Sequence, residues 1–183
     1  MTDERVLVLG IGNPLMMDEG IGVRVVETLM ATLEFPPNVT LVDAGTMGMS
    51  ILGLFRDCDY MLVIDAMKGT GEPPGTVVRL SAEELAPNQV MHSLHDLRFV
   101  DVLGASEVMG CRPEAECIGV QVADMSEIRI GLTPELEAAV PAAVEAVLAV
   151  LAERGITPTA RAEASADARV LEAIRQYSAP PEA

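Results

Sequence analysis

The sequence predicts an α/β protein, a three-layer α/β/α sandwich around a twisted, mostly parallel sheet. Short apolar runs at Val6–Leu9, Val39–Val42 and Met61–Ile64 have the length and β-branched content of buried strands. The longer stretches around them carry helical spacing. Strands that alternate with helices need crossover connections, hence parallel pairing. A glycine turn, Gly10-Ile11-Gly12-Asn13-Pro14, follows the first run at once. In open sheets of this kind, functional groups collect at the carboxyl ends of the strands.

The elements follow in order. Val6–Leu9 is ended by Gly10. Gly20–Leu33 reads as a helix, with Val23, Val26 and Met30 on one face. Val39–Val42 is a second strand, ending at Asp43-Ala44-Gly45-Thr46. Met49–Phe55 is a short helix, and Met61–Ile64 is a third strand that ends at Asp65. Lys68–Gly75 is a Gly/Pro loop, and Thr76–Leu80 is a strand at a sheet edge. His95–Leu103 is a helix and Glu116–Val122 a further strand. Thr133-Pro134-Glu135 opens the last long helix, with Thr as N-cap and Pro in the first turn. That helix runs to about Glu153 and stops at Gly155. Thr157–Ala166 reads as a polar linker, and Asp167–Tyr177 as a short amphipathic helix. The expected division is an α/β domain over 1–156 and a polar tail over 157–183.

Composition narrows the function. The 183 residues are half hydrophobic but only 3% aromatic, so aliphatic side chains, Ala and Met must fill the core. A formal net charge of −16 argues against a nucleic-acid partner, because that affinity comes from Lys and Arg neutralising phosphates. Cys58, Cys111 and Cys117 lack CxxC spacing, so neither a disulfide framework nor a structural zinc site is expected. The acidic start Met1-Thr2-Asp3-Glu4-Arg5 does not read as a signal peptide, and no apolar stretch is long enough for a bilayer. A cytoplasmic monomer with no membrane partner is the expectation.

The turn itself is unusual. A glycine turn between strand and helix ordinarily cradles phosphate. Here Asp18 and Glu19 sit at the helix start, where they would repel an anion and suit a cation. The third glycine of a dinucleotide fingerprint is missing, since position 15 is Leu, although Asp43 could imitate a ribose-binding acid. Three acids lie at strand ends: Glu19, Asp43 and Asp65. Each has an ordinary explanation, because acids favour helix N-termini and turns after strands. The two histidines, His92 and His95, both lie beside the start of one helix. Glu19, Asp65 and one histidine would make an oxygen–oxygen–nitrogen site for a borderline divalent metal such as nickel, zinc, iron or manganese. The alternative is a pair of exposed polar residues at a helix entry, with Ser93 or Asp96 as cap. Ser93 lacks a GxSxG elbow, and Cys111 beside Arg112 reads as an incidental thiol. Met16, Met17, Met47 and Met49 crowd the loops nearby, either as core filler or as an adaptable apolar rim for a peptide.

These residues resemble the hydrogenase maturation proteases over roughly Val6 to Gly155. The motifs that carry the likeness are Gly10-Ile-Gly-Asn-Pro-Leu-Met-Met-Asp-Glu-Gly-Ile-Gly-Val-Arg24, Asp43-Ala-Gly-Thr46, Val63-Ile-Asp65-Ala66, His95 with Asp101-Val-Leu103, and Gly131-Leu-Thr-Pro134. The resemblance implies an endopeptidase that trims the C-terminal extension of a nickel-containing hydrogenase large-subunit precursor after nickel insertion. It implies nickel contacts at Glu19, Asp65 and His95, with the metal arriving on the substrate. Glu19 and Asp65 are then the candidate catalytic carboxylates, and Asp43 and Gly45 would support them from behind. The family commonly has His-Gln where this chain has His95-Asp96. Two rivals share features with this reading. A peptidyl-tRNA hydrolase-like enzyme also opens on Gly-x-Gly-Asn-Pro, but it expects a histidine where Asp18-Glu19 stand. A non-proteolytic chaperone would bind the large subunit without cutting it.

Overall fold

Alternation along the first strand decides how the molecule is layered. The computed structural model describes residues 4–85, 99–123 and 125–161. In β1 (Val6–Ile11), Val6 and Val8 join one apolar core, whereas Leu7 and Leu9 join another on the opposite face. The first core is covered by α1 (Ile21–Thr32) and by the long helix Pro134–Glu153. The second is covered by a 3-10 helix, Gly48–Asp57, and by a helix at Phe99–Val108. Two helical layers therefore enclose the sheet, as the sequence predicts.

After α1 come β2 (Leu33–Glu34), β3 (Val39–Gly45), β4 (Tyr60–Met67), β5 (Val77–Ser81) and the one-turn α2 (Ala82–Leu85). The helix Phe99–Val108 is α3, β6 is Glu114–Gln121, Pro134–Glu153 is α4, and β7 is Thr159–Ala160. The five-stranded sheet has the order β3-β1-β4-β6-β5. All its pairs are parallel except the edge pair β5–β6. Every residue of β4 is buried, which fits a central strand covered on both faces. The chain leaves β1 through α1 to reach β3, then returns through the 3-10 helix to β4 on the other side of β1. The carboxyl end of β1 is thus a topological switch point, where such sheets open a crevice.

Glycine lets α1 press onto this end. A Cβ on Gly10 would lie 2.4 Å from the Gly22 carbonyl oxygen, and one on Gly22 would lie 2.2 Å from that of Ile64. At Gly12 (φ 134°) a Cβ would sit 1.9 Å from the Glu19 carbonyl oxygen. The glycines at 10 and 12 thus face the chain's own backbone, whereas a Cβ at Gly45 (φ 44°) would make only ordinary contacts, at 3.6 Å or more.

The elements differ from expectation where non-local packing decides. β4 runs past Asp65 to Met67 rather than ending there. The short helix before it is 3-10 throughout. Val23 and Val26 of α1 are buried, but Met30 is exposed, while its neighbours Leu29 and Ala31 are buried. Thr133 precedes α4 with Pro134 at its first position, yet its hydroxyl makes no capping bond. Residues 159–160, expected to be linker, form β7 and pair antiparallel with β2. The predicted start of α3 and the helix Asp167–Tyr177 lie outside the described residues. Cys58, Cys111 and Cys117 are free thiols. Among the described residues no helix is long and apolar enough to cross a membrane.

Candidate active site

Asp65 is the sixth residue of the central strand, one step beyond the level at which Gly10 pairs with Asp43 and Ile64. Its side chain shares the face of Met61 and Val63, and it is only 3% exposed. One carboxylate oxygen accepts the Ala66 N–H at 2.7 Å. Burial is the main influence on the group and pushes its pKa from 3.8 up to about 7. The Ala66 hydrogen bond opposes that rise, and the nearby charge of Glu19 adds to it. No described cation offsets the desolvation.

Glu19 belongs to a buried 3-10 turn, Met17–Gly20, between β1 and α1. It is fully buried. The sequence offers capping of a helix start and of a turn as the ordinary roles of Glu19 and Asp65; the fold buries both and sets them within electrostatic reach of each other. The turn is entered through Met17 at φ 51°, the one described non-glycine residue with a left-handed backbone. That conformation costs about 1–2 kcal/mol and is held by its surroundings. The Met17 N–H donates to the Arg129 carbonyl at 3.0 Å, and the Arg129 N–H donates to that of Leu15 at 2.9 Å.

Asp65 lines a cavity of about 30 Å³ with Ile11, Gly45, Met47, Ile51 and Phe99. That is room for one water. Gly45 is there because β3 carries an extra residue. The register steps from Gly10–Asp43 to Ile11–Gly45, skipping Ala44, a bulge of the kind found beside active sites. Asp43 has the parity of Val39 and Leu41, faces the α1 side, and is exposed. It does not line the Asp65 cavity, although Oδ1 lies within 3.6 Å of where a Gly45 Cβ would stand. Met47, which lines the cavity, and Met49 are exposed, but Met17 is buried. His92, His95, Ser93 and Asp96 lie outside the described residues. Among the described residues no three His, Cys, Asp or Glu side chains gather closely enough to hold a metal ion.

The hydrogenase maturation protease family matches residues 23–150. The Hydrogenase 2 maturation protease of Escherichia coli K12 is 40% identical over 155 residues, covering 83% of this chain and 93% of its own. The hydrogenase expression/formation protein HupD of Rhizobium leguminosarum bv. viciae is 38% identical over 171 residues, 92% of this chain and 84% of its own. The structure of the hydrogenase maturating endopeptidase HybD from E. coli superposes with a TM-score of 0.76 at 37% identity, over 86% of this chain and 98% of that one. This chain belongs to the hydrogenase maturation protease family.

In this family member the residue that sequence reasoning missed is Asp18. A short acid before Glu19 looks like a helix cap, yet neither the 3-10 turn nor α1 has a side-chain cap. Asp18 is instead fully buried and reaches across the molecule. It accepts the Thr133 N–H at 2.7 Å, the Thr133 hydroxyl at 3.1 Å and the Ala123 N–H at 3.1 Å. This is why Thr133 does not cap its own helix. The Glu19 turn is thereby pinned to the start of α4 and to the end of β6. Bonds to a buried charged acceptor are each worth about 1.5–3 kcal/mol, which fixes Glu19's backbone more firmly than a solvent-exposed cap would.

Proposed function

We propose that this chain removes the C-terminal extension of a nickel-containing hydrogenase large-subunit precursor, and that the nickel already inserted there is its recognition signal. Family membership supports proteolysis in hydrogenase maturation. The observation that carries the finer reading is the pair Glu19 and Asp65: two carboxylates buried together at the switch point, one of them held near neutrality by burial. No described cation offsets the burial of Asp65. A divalent cation delivered by the substrate would let Asp65 ionise, and its binding would release that proton.

In this reading the precursor's nickel is cargo, held by the substrate and completed by Glu19, Asp65 and His95. The ion polarises the scissile carbonyl or acidifies a bound water. Asp65, beside a cavity with room for one water, is also placed to take a proton from it. Gly45 leaves the approach to Asp65 open, and Asp43 supports the Gly45 turn. The protein acts as a cytoplasmic monomer in a transient encounter, with no membrane or nucleic-acid partner.

The test is incubation of the purified chain with nickel-loaded and nickel-free precursor, followed by gel and mass analysis. The nickel-loaded form is expected to shorten while the nickel-free form stays intact. Equal cleavage of both would overturn the nickel signal. Stable binding with no shortening would favour a chaperone.

A further inference from the structure

The turn after β3 brings one more polar residue to the wall of the Asp65 cavity. Gly10 pairs with Ile64 and Ile11 pairs with Gly45, so Gly45, Ile11 and Asp65 stand at one level on three neighbouring strands. Thr46 follows at once. The Ala44 carbonyl accepts the Met47 N–H at 2.9 Å, which closes a four-residue turn with Gly45 and Thr46 at its corners. Gly45 supplies the left-handed backbone of the first corner, at φ 44°. The Ser50 N–H donates to the Met47 carbonyl at 3.1 Å and ties the turn to the 3-10 helix. The backbone therefore fixes where Thr46 sits.

Of the residues that line the cavity, only Asp65 and Thr46 have polar side chains. Ile11, Ile51, Phe99 and Val102 give the rest an apolar character. The Thr46 hydroxyl makes no hydrogen bond among the described residues. It keeps one donor and two acceptor lone pairs for whatever enters. The cavity has room for one water, and an ordered water in such a place ordinarily makes about three hydrogen bonds. The Asp65 carboxylate supplies one partner and Thr46 is the other side chain able to supply a second.

We propose that Thr46 is a further catalytic residue, whose hydroxyl holds, together with the Asp65 carboxylate, the water that attacks the scissile peptide bond. The assignment rests on the function proposed above. One proton of the water points to Asp65 and the other to Thr46 Oγ1, which leaves a lone pair directed at the substrate carbonyl. Holding a nucleophile in one orientation lowers the barrier without any change in substrate affinity. The water oxygen bonds to the carbonyl carbon as its proton passes to the ionised Asp65. The C–N bond then breaks, and that proton moves on to the leaving nitrogen. The products are a carboxylic acid and an amine, and Thr46 keeps its own proton throughout.

The experiment compares processing of nickel-loaded precursor by the parent, Thr46→Val, Thr46→Ser and a control, Thr40→Val, at an exposed site of β3 outside the cavity. Valine keeps the branched shape and loses the hydroxyl, whereas serine keeps the hydroxyl and loses the methyl. Thr46→Val is expected to lower kcat by about tenfold to a hundredfold with KM within about twofold, the signature of an interaction made in the transition state. Thr46→Ser should stay within about threefold of the parent, and the control should change neither constant. Thr46 is exposed, so melting temperatures should agree across the set. Crystals of the parent are expected to show a water within hydrogen-bond distance of both side chains, and crystals of Thr46→Val to lack it. A parental kcat in Thr46→Val, a raised KM at unchanged kcat, or a serine variant as slow as the valine one would overturn the role of Thr46 and leave the protease reading standing. Failure of the parent to shorten nickel-loaded precursor would overturn the protease reading, and this inference with it.

Discussion

The two ends of the sheet treat their acids in opposite ways. At the amino ends of the strands, acids are met by arginine. Arg5 bridges Asp57 and Asp59 at 3.2 and 3.0 Å, Arg79 joins Glu116 and Glu153, and Arg154 joins Glu4 and Glu114 while lying 3.2 Å from the Tyr60 ring centroid. At the carboxyl ends, Asp65 is buried beside the charge of Glu19 with no described cation to offset it. The first arrangement stabilises a fold a little, since exposed ion pairs are worth about 0–1 kcal/mol each. The second costs stability and lies at a switch point, the setting in which a perturbed acid is a candidate for function. One end ties its acids to arginines, and the other buries Asp65 with no described cation beside it.

The largest expected contrast is in processing. Asp65→Ala should abolish shortening of nickel-loaded precursor, a loss of about a thousandfold or more, as when a group acting directly on the reacting atoms is removed. Arg154→Met should leave the processing rate within about twofold and lower stability by about 1–2 kcal/mol, from its ion pairs and its contact with Tyr60. Gel densitometry and thermal melts read the two effects. If Arg154→Met stopped processing in a folded protein, the division between the ends would fail.

Glycine gives the next contrast. Gly12→Ala forces a Cβ into the Glu19 carbonyl at a backbone angle that L-residues avoid, and it should cost about 3 kcal/mol or more. Gly53→Ala, toward the amino end, meets nothing within 4 Å and should stay within about 0.5 kcal/mol of the parent. Urea midpoints would measure both, and a mild Gly12→Ala would show that the Glu19 turn yields easily.

Most of the fold was legible in the sequence because strands and helices announce themselves by local period. Val6–Leu9 and Met61–Ile64 read as strands from a few residues, and Pro134 marked a helix start. The limits of the strands were less legible. Asp65 reads as a terminator because an acid inside a strand is rare. Its burial comes from Gly119 opposite it in β6 and from the 3-10 helix and α3 above it, none of which is local. Asp18 was opaque for the same reason: its acceptor bonds go to residues 105 and 115 positions away. The family motifs pointed to Glu19 and Asp65, but that both are buried and electrostatically coupled is visible only in three dimensions.

The ends also respond to pH with opposite sign. Asp65 titrates near 7 folded and near 3.8 unfolded. Between about pH 4 and 7 the folded chain keeps a proton that the unfolded chain has released. Stability of the metal-free protein therefore falls as pH rises through that window and levels off above it. Asp65→Asn should remove the fall and be about 2–4 kcal/mol more stable than the parent at pH 8, measured by urea unfolding. A parent whose stability is flat from pH 4 to 7 would show that Asp65 ionises freely.

The smallest effect lies at the other end. Hydrogen bonds from Arg5 hold Asp59 at about 2, below its ordinary 3.8. Here the folded chain releases the proton first, so the contribution is complete above about pH 4 and is lost as pH falls toward 2. Arg5→Met should flatten that acid limb and leave the pH 4–7 limb untouched, because the latter belongs to Asp65. The pair is open to solvent, so the acid-limb change should be slight and should shrink further in salt, whereas the Asp65 limb, being a desolvation effect, should persist. Unfolding curves at low and high ionic strength on Arg5→Met and Asp65→Asn separate the two limbs. If salt abolished the neutral limb as well, the charge at Asp65 would be governed by exposed neighbours rather than by burial.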